Sequence, residues 1–309
     1  MRVSAFAPGS VSNIACGFDC LGFAVDGPGD LVTAERKDTP GVEILEIVGD
    51  GGRLPLEADR NTAGVAVAAL LEDAGAQEEG ISLRLEKRMP LSSGLGSSAA
   101  SAVAGARAVA ELLGLGVDRH RLLRAALEGE RIACGSAHPD NATPSLYGGF
   151  VLIRSMDPLD VVELPVPEGL TCALVRPHVS VETRAARGAL GESVPLSAAV
   201  RQWANLGSLV AGLYRGDLEL VSRSLVDHVA EPKRAHLVPG FRDIQAAAVE
   251  AGALGCSLSG SGPSIFALCA DAADAERVAD AMRNAVDGPA DRLVSPVGAG
   301  GVRVTAEHP

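Results

Sequence analysis

The chain has 309 residues, of which 47% are hydrophobic and 3% aromatic, which predicts a globular protein with a core of Ala, Val, Leu and Ile rather than a disordered chain. Its formal charge is −12 and no basic stripe occurs, which argues against nucleic acid as a main partner. It shows no membrane-length apolar run, no signal-peptide pattern and no CxxC among its six cysteines. We therefore expect a soluble cytoplasmic protein with reduced thiols and no membrane partner.

Strand and helix patterns alternate along the first half of the chain. Short apolar runs predict strands, and those at 21–25 and 31–35 are expected to form a hairpin through a Gly- and Pro-rich turn. Longer apolar stretches predict helices, which Asn61 or Thr62 and Asp118 are placed to cap. The predicted strands are 2–7, 21–25, 31–35, 42–48, 81–86 and 151–154, and the predicted helices are 63–74, 97–113 and 119–133.

A turn at Met156-Asp157-Pro158 marks the expected domain boundary, which gives an N-terminal domain over residues 1–155 and a C-terminal domain over residues 156–309. The strand–turn–strand pattern at 254–268 contains more Gly and Ser than a hairpin needs. We expect its backbone to pack closely against another loop or a ligand. The other predicted C-terminal strands are 170–176 and 301–306, and the predicted helices are 197–214, 218–229, 241–251 and 274–286.

The stretch Pro90 to Ala100 reads PLSSGLGSSAA and leads into a predicted helix, with Ser97 and Ser98 as its expected caps. Glycine lets a ligand approach the backbone, and a helix N-terminus favours an anion, so the stretch predicts a site for a nucleotide's polyphosphate. No Lys follows the last Gly, which excludes a Walker A loop. An ordinary glycine turn and a Rossmann loop are the alternatives. The Rossmann loop fits poorly because strand 81–86 alternates like a half-exposed strand.

Other candidate ligand-binding side chains lie in a loop near the N-terminus, around residues 130–141, and in two later basic segments. Each alone is more often a turn, a cap or a solvated surface residue, but four acid, amide and imidazole groups within 130–141 weaken that interpretation. Carboxylates suit Mg²⁺, and arginines suit a carboxylate or a phosphate. The candidates are Asn13, Asp19, Glu130, His138, Asp140, Asn141, Arg187 and Arg234.

Three glycine- and serine-rich segments, at 8–19, 90–100 and 257–264, resemble in their order the GHMP kinase superfamily. Within it, the chain is most similar to the homoserine kinases. The first segment departs from the superfamily's usual PATSANLG form but keeps Asn13 and Gly17-Phe18-Asp19. The residues that carry the closer similarity are Glu130, Gly135 to Asn141, Thr183, Ala186, Arg187, Glu231, Pro232 and Arg234.

The resemblance implies a two-domain α+β fold, with a ribosomal-protein-like N-terminal domain that contains a left-handed crossover and a ferredoxin-like C-terminal domain. It also implies ATP and Mg²⁺ as cofactors, L-homoserine as the acceptor, a product used for threonine, and a homodimer. The predicted nucleotide contacts are Asn61, Pro90, Leu91, Ser92, Ser93, Gly94, Leu95, Gly96, Ser97, Ser98, Ala99 and Ala100, and the implied metal ligands are Ser98 and Glu130. The implied acceptor contacts are Asn13, Asp19, His138, Asp140, Thr183, Arg187, Arg234 and Gly260, and the residues placed at the reaction centre are Asn13, Asp19, Glu130, Asn141 and Arg187.

The chemistry of a small zwitterion agrees with these expectations. Arg187 and Arg234 suit its carboxylate, and Asp19 or Asp140 suits its ammonium group. No general base is assigned, because Asn141 stands where several superfamily kinases have Asp, and the proton can go to the phosphate itself or through Asp19. The alternatives are another small-molecule kinase of the superfamily, a non-catalytic metabolite-sensing module of the same fold, and a dinucleotide-dependent oxidoreductase.

Overall fold

The computed structural model of the chain describes residues 1–135 and 137–308, and the side chains at 133, 134, 183, 184 and 306–308 lie outside that description. Two β-sheets organise the described residues, one of seven strands and one of four. The strands, in chain order, are β1 (Arg2–Ser12), β2 (Leu21–Lys37), β3 (Gly41–Val48), β4 (Gly80–Glu86), β5 (Phe150–Met156), β6 (Leu159–Leu164), β7 (Thr171–Pro177), β8 (Gly255–Leu258), β9 (Ile265–Cys269), β10 (Ala290–Pro296) and β11 (Arg303–His308).

The predicted caps of two helices are confirmed: Asn61 accepts a hydrogen bond from the Ala63 amide at 3.0 Å, and Asp118 accepts one from the Arg121 amide at 2.9 Å. Among the described helices, none is both long and apolar enough to cross a bilayer. The helices are α1 (Thr62–Asp73), α2 (Ser97–Leu113), α3 (Arg119–Cys134), α4 (Pro139–Tyr147), α5 (Thr183–Gly188), α6 (Leu196–Arg215), α7 (Leu218–Ser224), α8 (Glu231–Arg234), α9 (Phe241–Glu250) and α10 (Ala272–Asn284), with 3₁₀ turns at Ala58–Arg60 and Ala235–Leu237.

The larger sheet has the strand order β11-β1-β2-β4-β3, and β5 pairs with the first part of β2 and with β6. Its strand pairs are antiparallel except β3 and β4, which run parallel and are connected through α1. The left-handed crossover implied by the resemblance stays a prediction. Helix α2 packs against β1, β2, α1 and α3. Its many buried alanines allow that close approach on several sides.

The strand pair β1–β2 shows that the predicted hairpin is wrong. β2 is one strand of 17 residues, and β1 continues through Pro8 and Gly9 instead of ending at residue 7. The register of the pair shifts between Pro8 and Ser10, opposite the Gly- and Pro-rich centre of β2. A bulge therefore absorbs the residues that resemble a turn, and the strand keeps its direction because β1 provides a continuous partner.

Three smaller predictions are also wrong. Strand β4 is mostly buried, because it lies between β2 and β3 rather than at an edge of the sheet. The helix-breaking residues around His138 predict a loop there, but Asp140 and Asn141 lie in the first turn of α4, because Pro139 starts a helix. Helix α7 ends at Ser224 rather than at residue 229, and the segment that follows is held by side-chain hydrogen bonds to Asp227.

The smaller sheet has the order β10-β7-β9-β8 and is antiparallel throughout. Numbered by their order in the chain, its strands lie in the order 4-1-3-2, and α10 connects β9 to β10, which confirms the ferredoxin-like expectation. Strands β6 and β11 follow residue 155 but pair in the larger sheet. The domain boundary at 155 stays a prediction, and backbone pairing crosses it in both places.

One apolar cluster runs from the larger sheet into the smaller one. Phe23 on β2 is fully buried, and its ring meets the rings of Phe150 on β5 and Phe266 on β9 edge-on, with centroids 5.6 and 6.3 Å apart. Such edge-to-face pairs add to the burial of apolar surface. The two sheets therefore hold each other in place, and the loops between them have a fixed spacing.

We expect Phe23→Ala to lower the free energy of unfolding by about 3–5 kcal/mol, because the missing ring leaves a cavity between the sheets. Phe23→Leu keeps most of that volume and should cost less than about 1.5 kcal/mol. Urea denaturation of both variants measures the difference. Equal, small losses for the two variants would show that the rings do not connect the sheets.

Candidate active site

A cleft of about 640 Å³ opens where loops of the two sheets meet, and it gathers all three glycine- and serine-rich segments. The Gly260 amide donates to the Ser12 carbonyl at 3.2 Å, and the Asn13 side chain donates to the Gly260 carbonyl at 2.9 Å. The Ser259 hydroxyl donates to the Gly94 carbonyl at 2.6 Å. The predicted close packing of the third segment is confirmed, and the backbone it packs against belongs to the other two segments.

Two glycines of the second segment have conformations and neighbours that exclude a side chain. Gly94 and Gly96 have φ values of 78° and 68°. A Cβ atom on Gly94 would lie 2.7 Å from the Ser259 carbonyl oxygen, and one on Gly96 would lie 2.8 Å from Asn141 Oδ1. The backbone is therefore bare where it borders the cleft, which is the arrangement that a phosphate needs for close approach.

The N-terminus of α2 has Gly96 as its cap, and no side chain caps its first turn. The prediction that Ser97 and Ser98 cap this helix is wrong, because both hydroxyls are used elsewhere. Ser97 donates to Asp30 Oδ2 at 2.9 Å, and a hydrogen bond from Ser98 reaches Glu130. Both serines border the cleft. The positive N-terminal end of the α2 dipole therefore stays available to attract an anion in the cleft.

A buried ion pair between Lys87 and Asp30 lies beneath this helix start. The Lys87 ammonium also donates to the Ser97 carbonyl at 2.8 Å and to the Ser101 hydroxyl at 2.7 Å. Asp30 accepts further bonds from both serine hydroxyls and from the amides of residues 88–89. Burial lowers the pKa of Lys87, and the Asp30 charge opposes that effect. The network attaches the first turn of α2 to β2 and to the end of β4.

Glu130 on α3 is buried at the cleft, and its Oε1 atom has no hydrogen-bond partner among the described residues. Burial raises the pKa of its carboxyl group to about 7, while the hydrogen bond from Ser98 and the charge of Lys87 act in the opposite direction. A buried carboxylate with an unused oxygen next to a serine hydroxyl fits the preference of Mg²⁺ for hard oxygen ligands.

The other end of the cleft is basic and is organised around an aromatic ring. Arg187 pairs with the Asp19 carboxylate. The guanidinium carbons of Arg187 and Arg234 lie 5.5 and 5.1 Å from the centre of the Phe18 ring. Arg234 is buried and donates to the Ala186 carbonyl at 3.0 Å. Cation–π contacts with Phe18 therefore hold both guanidinium groups near each other at the same end of the cleft, although their charges repel.

His138 and Asp140 complete this end, and their ligand atoms and that of Asp19 lie within 4.8 Å of one another. His138 Nε2 and Asp140 Oδ1 are buried and lack hydrogen-bond partners among the described residues. Burial, followed by the Asp19 charge, raises the pKa of Asp140 to about 7. Burial, followed by the Arg187 charge, lowers the pKa of His138. The cluster thus offers a neutral imidazole and an acid that titrates near neutral pH.

The first segment carries backbone strain. Asn13, Ile14, Ala15 and Asp19 all have positive φ values, between 39° and 71°. The Asn13 side chain accepts a hydrogen bond from the Asp19 amide at 3.0 Å, which fixes the loop that carries the carboxylate. Such conformations cost free energy outside glycine and persist where the surroundings enforce them, commonly at functional sites.

Most of the predicted site residues border this cleft, but not all of them do. Ala99 and Ala100 lie in the core, and Pro90 and Leu95 also stay outside the cleft lining. The side chain of Thr183 lies outside the described residues. Asn141 borders the cleft, with its Oδ1 atom accepting from Ser10 at 3.1 Å. The predicted residues that do line the cleft are Asn13, Asp19, Asn61, Leu91, Ser92, Ser93, Gly94, Gly96, Ser97, Ser98, Glu130, His138, Asp140, Asn141, Arg187, Arg234 and Gly260.

Lys87 and Phe18 belong to the site but were not assigned a role from the sequence. Lys87 lies between strand β4 and the glycine segment, and that position was the one signal the sequence offered for it. Phe18 lies between two predicted site residues as the one large ring in a loop of small ones. Sequence spacing alone does not reveal that Arg187 and Arg234 stack on it.

Comparisons with known proteins agree with the geometry. Residues 61–149 match the family model described as GHMP kinases N terminal domain, and residues 209–288 match GHMP kinases C terminal. The chain is 50% identical to the homoserine kinase of Chlorobium phaeobacteroides, over 98% of this chain and 99% of that one. It is 51% identical to the homoserine kinase of Chlorobium phaeovibrioides, over 98% and 99%. The crystal structure of homoserine kinase from Cytophaga hutchinsonii matches with a TM-score of 0.95 and 51% identity, over 98% and 97%.

We expect Asp30→Ala to lower the free energy of unfolding by about 3–5 kcal/mol, because it leaves the buried Lys87 ammonium without its counter-charge. Lys87→Met should cost less, because hydroxyl and amide donors still reach Asp30 after the ammonium is removed. Urea denaturation at neutral pH ranks the two. A larger loss for Lys87→Met would contradict this account of the network.

Proposed function

The chain belongs to the GHMP kinase family and, within it, to the homoserine kinases, and on that premise we propose that its cleft transfers the γ-phosphoryl group of ATP to the hydroxyl of L-homoserine. The product is O-phospho-L-homoserine, which leads toward threonine. One observation carries the proposal: an uncapped helix start with bare glycines and a cluster of two arginines with two carboxylates line the same cleft. Anionic and zwitterionic substrates would lie next to each other there.

The triphosphate is proposed to lie against the N-terminus of α2. Backbone amides of the glycine segment and the positive end of the helix stabilise its charge, and the Lys87–Asp30 network keeps that first turn in place. Phosphoryl transfer depends mainly on such positioning and on charge stabilisation rather than on covalent participation by the protein. Asn61 borders the cleft, but its side chain is already used in capping α1 and in donating to the Pro55 carbonyl.

Magnesium is proposed to bind at Glu130 and Ser98, where the buried Oε1 atom lacks a partner among the described residues. Bound there, the ion would neutralise charge on the phosphates. The protein's own contribution is to hold a carboxylate and a hydroxyl next to the helix start. The nearby Lys87 charge favours the ionised form of Glu130 and so opposes the effect of burial.

The acceptor amino acid is proposed to bind at the basic end. Arg187 and Arg234 would hold its carboxylate, and Asp19 or Asp140 its ammonium group. Burial lowers the pKa of His138 and so favours its neutral form, which is suited to a hydrogen bond with an uncharged group such as the acceptor hydroxyl. Arg187 already occupies the Asp19 carboxylate in an ion pair, and we propose that the hydroxyl proton passes to the phosphate itself.

A panel of hydroxyl acceptors with ATP tests the proposal. We expect ADP release with L-homoserine, and little with mevalonate, shikimate or galactose, in a coupled assay. Turnover on another acceptor would assign the chain to a different activity of the superfamily. Tight ligand binding without transfer would indicate a sensing module. The cytoplasmic location and the homodimer implied by the resemblance stay predictions.

We expect Arg187→Ala to raise KM for L-homoserine by about 10- to 100-fold, because a charge-assisted hydrogen bond to the carboxylate is lost. KM for ATP should change by less than about twofold, because Arg187 lies at the other end of the cleft from the glycine segment. Arg223→Ala, at an exposed arginine on α7, is the control. An unchanged homoserine KM in Arg187→Ala would remove this residue from the acceptor site.

Glu130 should make magnesium binding depend on pH. Its carboxyl group has a folded-state pKa of about 7, above its ordinary value of 4.5, so the stability it adds in acid is lost as the pH rises through 7. Mg²⁺ requires the ionised form, so millimolar Mg²⁺ should raise Tm more at about pH 8 than at about pH 6.

Glu130→Gln should abolish this Mg²⁺-dependent shift in Tm and lower kcat on the order of 10²-fold. Asp140→Asn is the matched control, because Asp140 is equally buried with a pKa raised to about 7 but lies at the acceptor end. It should keep the Mg²⁺ response. Loss of the shift in Asp140→Asn with retention in Glu130→Gln would move the metal to the other end of the cleft.

A further inference from the structure

The Ser12 hydroxyl lies at the acceptor end of the cleft, close to Asp140. Ser12 is the last residue of β1 and directly precedes the strained loop of residues 13–19, which we call the acceptor loop. The residue is fully buried, yet it borders the cleft. Its Oγ atom has no hydrogen-bond partner among the residues that the structure describes. A buried hydroxyl without a partner lowers stability, so it marks a place where a ligand can supply the missing bond.

Neighbouring serines show what a hydroxyl with a structural role does at this position of the fold. Helix α4 packs against β1. Ser10 lies on the same face of the strand, two residues before Ser12, and donates to Asn141 Oδ1 at 3.1 Å. The Ser145 hydroxyl donates to the Pro8 carbonyl at 2.7 Å. Both bonds join the strand to the helix. Of these three serines, Ser12 is the one that borders the cleft, and it forms no such bond to the described part of α4.

Gly260 keeps the Ser12 hydroxyl accessible from the cleft. The φ value of Gly260 is 59°, a conformation that glycine adopts without strain. A Cβ atom on this residue would lie 3.2 Å from Ser12 Oγ. A side chain at position 260 would therefore crowd the hydroxyl, and the bare backbone leaves room for a ligand group beside it.

Two carboxylates lie near the hydroxyl, and they differ in what they already bind. Ligand oxygens of Asp19 and Asp140 lie within 4.8 Å of each other. Asp19 is paired with Arg187, whereas Asp140 Oδ1 has no partner among the described residues. Burial raises the pKa of Asp140, and the nearby Ser12 hydroxyl opposes that shift, although no hydrogen bond of good geometry joins the two groups. Ser12 therefore favours the ionised form of Asp140, which is the form that binds a cation.

An ammonium group fits between these atoms. Its hydrogen bonds to carboxylates are about 2.8 Å long, so one nitrogen can reach both carboxylate oxygens. It has three N–H donors, and the two carboxylates take two of them. The nearby carbonyls of Ser12 and Gly260 already accept bonds from the Gly260 amide and from the Asn13 side chain. Among the described groups around this point, the Ser12 hydroxyl is left as the acceptor for the third N–H.

We propose that Ser12 is a specificity-determining residue of the acceptor subsite, whose hydroxyl accepts a hydrogen bond from the ammonium group of the acceptor beside Asp140. The inference rests on the proposed function and narrows it, because the subsite would distinguish an α-amino acid from a hydroxy acid of the same length. A ligand without the ammonium group would leave the buried Ser12 Oγ and Asp140 Oδ1 atoms unpaired. Sites of that kind discriminate strongly against the analogue that lacks the polar group.

Two substitutions at Ser12, each measured with two ligands, test the inference. 4-Hydroxybutyrate is L-homoserine without its amino group. We expect Ser12→Ala to raise KM for L-homoserine about 10-fold, because a hydrogen bond to a charged group is lost. The inhibition constant of 4-hydroxybutyrate against L-homoserine and the KM for ATP should each change by less than about twofold. Ser12→Cys nearly fills the space of Ser with a weak acceptor, so it should act like Ser12→Ala.

Thermal unfolding shows whether the hydroxyl has a structural partner. Ser12→Ala removes a buried group that the described protein does not satisfy, so Tm should stay unchanged or rise. The superfamily's PATSANLG form, aligned on Asn13, has Ala at this position, so the fold should accept it. Ser10→Ala is the matched comparison. It leaves Asn141 Oδ1 without its donor, so Tm should fall, and the constants for the two ligands should change by the same factor.

Equal changes in the constants for L-homoserine and 4-hydroxybutyrate in Ser12→Ala, or no change in either, overturn the inference. A wild-type KM in Ser12→Cys also overturns it, because packing rather than hydrogen bonding would then explain Ser12→Ala. A marked fall in the Tm of Ser12→Ala would show that the hydroxyl is bonded within the protein, which contradicts the inference as well. A wild-type chain that does not phosphorylate L-homoserine would instead contradict the proposed function, and the inference with it.

Discussion

The buried carboxylate of Asp30 determines how the start of α2 can be used. It attracts the Lys87 ammonium and the hydroxyls of Ser97 and Ser101, which are groups that could otherwise cap or fill the helix terminus. A helix normally satisfies its first amides with a side-chain cap, and α2 has none. The Asp30 network thus fixes the first turn of α2 on the side that faces the core. The amides on the cleft side stay uncapped, and a phosphate site requires both features.

The cleft contains several buried polar atoms that the described protein does not satisfy, and they lie at both of its ends. Glu130 Oε1 lies near the helix start, and His138 Nε2 and Asp140 Oδ1 lie near the arginines. Burial is the largest cause that raises both carboxyl pKa values to about 7. Each atom would gain a partner from the ligand proposed for its end, a cation at Glu130 and the acceptor's ammonium and hydroxyl groups at the other two. Leaving these buried atoms without partners lowers the stability of the fold, but it preorganises the site for its ligands.

Local sequence signals predicted those parts of the fold that local chemistry decides. The Asn61 and Asp118 caps, the length of α2 and its end at Gly114, and the strand–turn–strand around Gly260 are confirmed. Each depends on residues a few positions apart. Motif order carried the family assignment, because three glycine segments far apart in the chain must meet to form one cleft.

Long-range pairing decided what the sequence did not predict. The centre of β2 has the composition of a turn, and only its partner β1 keeps it extended as a bulged strand. Ser97 has the residue type of a cap, but a carboxylate 67 residues away takes its hydroxyl. Lys87 resembles the solvated end of a strand, and its burial depends on the same distant Asp30. In each case a tertiary contact outweighs a local preference.

The acceptor loop shows why the site lies where the two halves of the chain meet. Left-handed backbone at Asn13, Ile14 and Ala15 is unfavourable by itself and needs support from outside the loop. Supporting bonds come from Gly260, which donates to the Ser12 carbonyl and accepts from the Asn13 side chain, and from Gln202, which donates to the Cys16 carbonyl. Both residues follow position 155. The first half of the chain therefore contributes the carboxylate of Asp19. Contacts from the second half stabilise the conformation of the loop that carries this carboxylate.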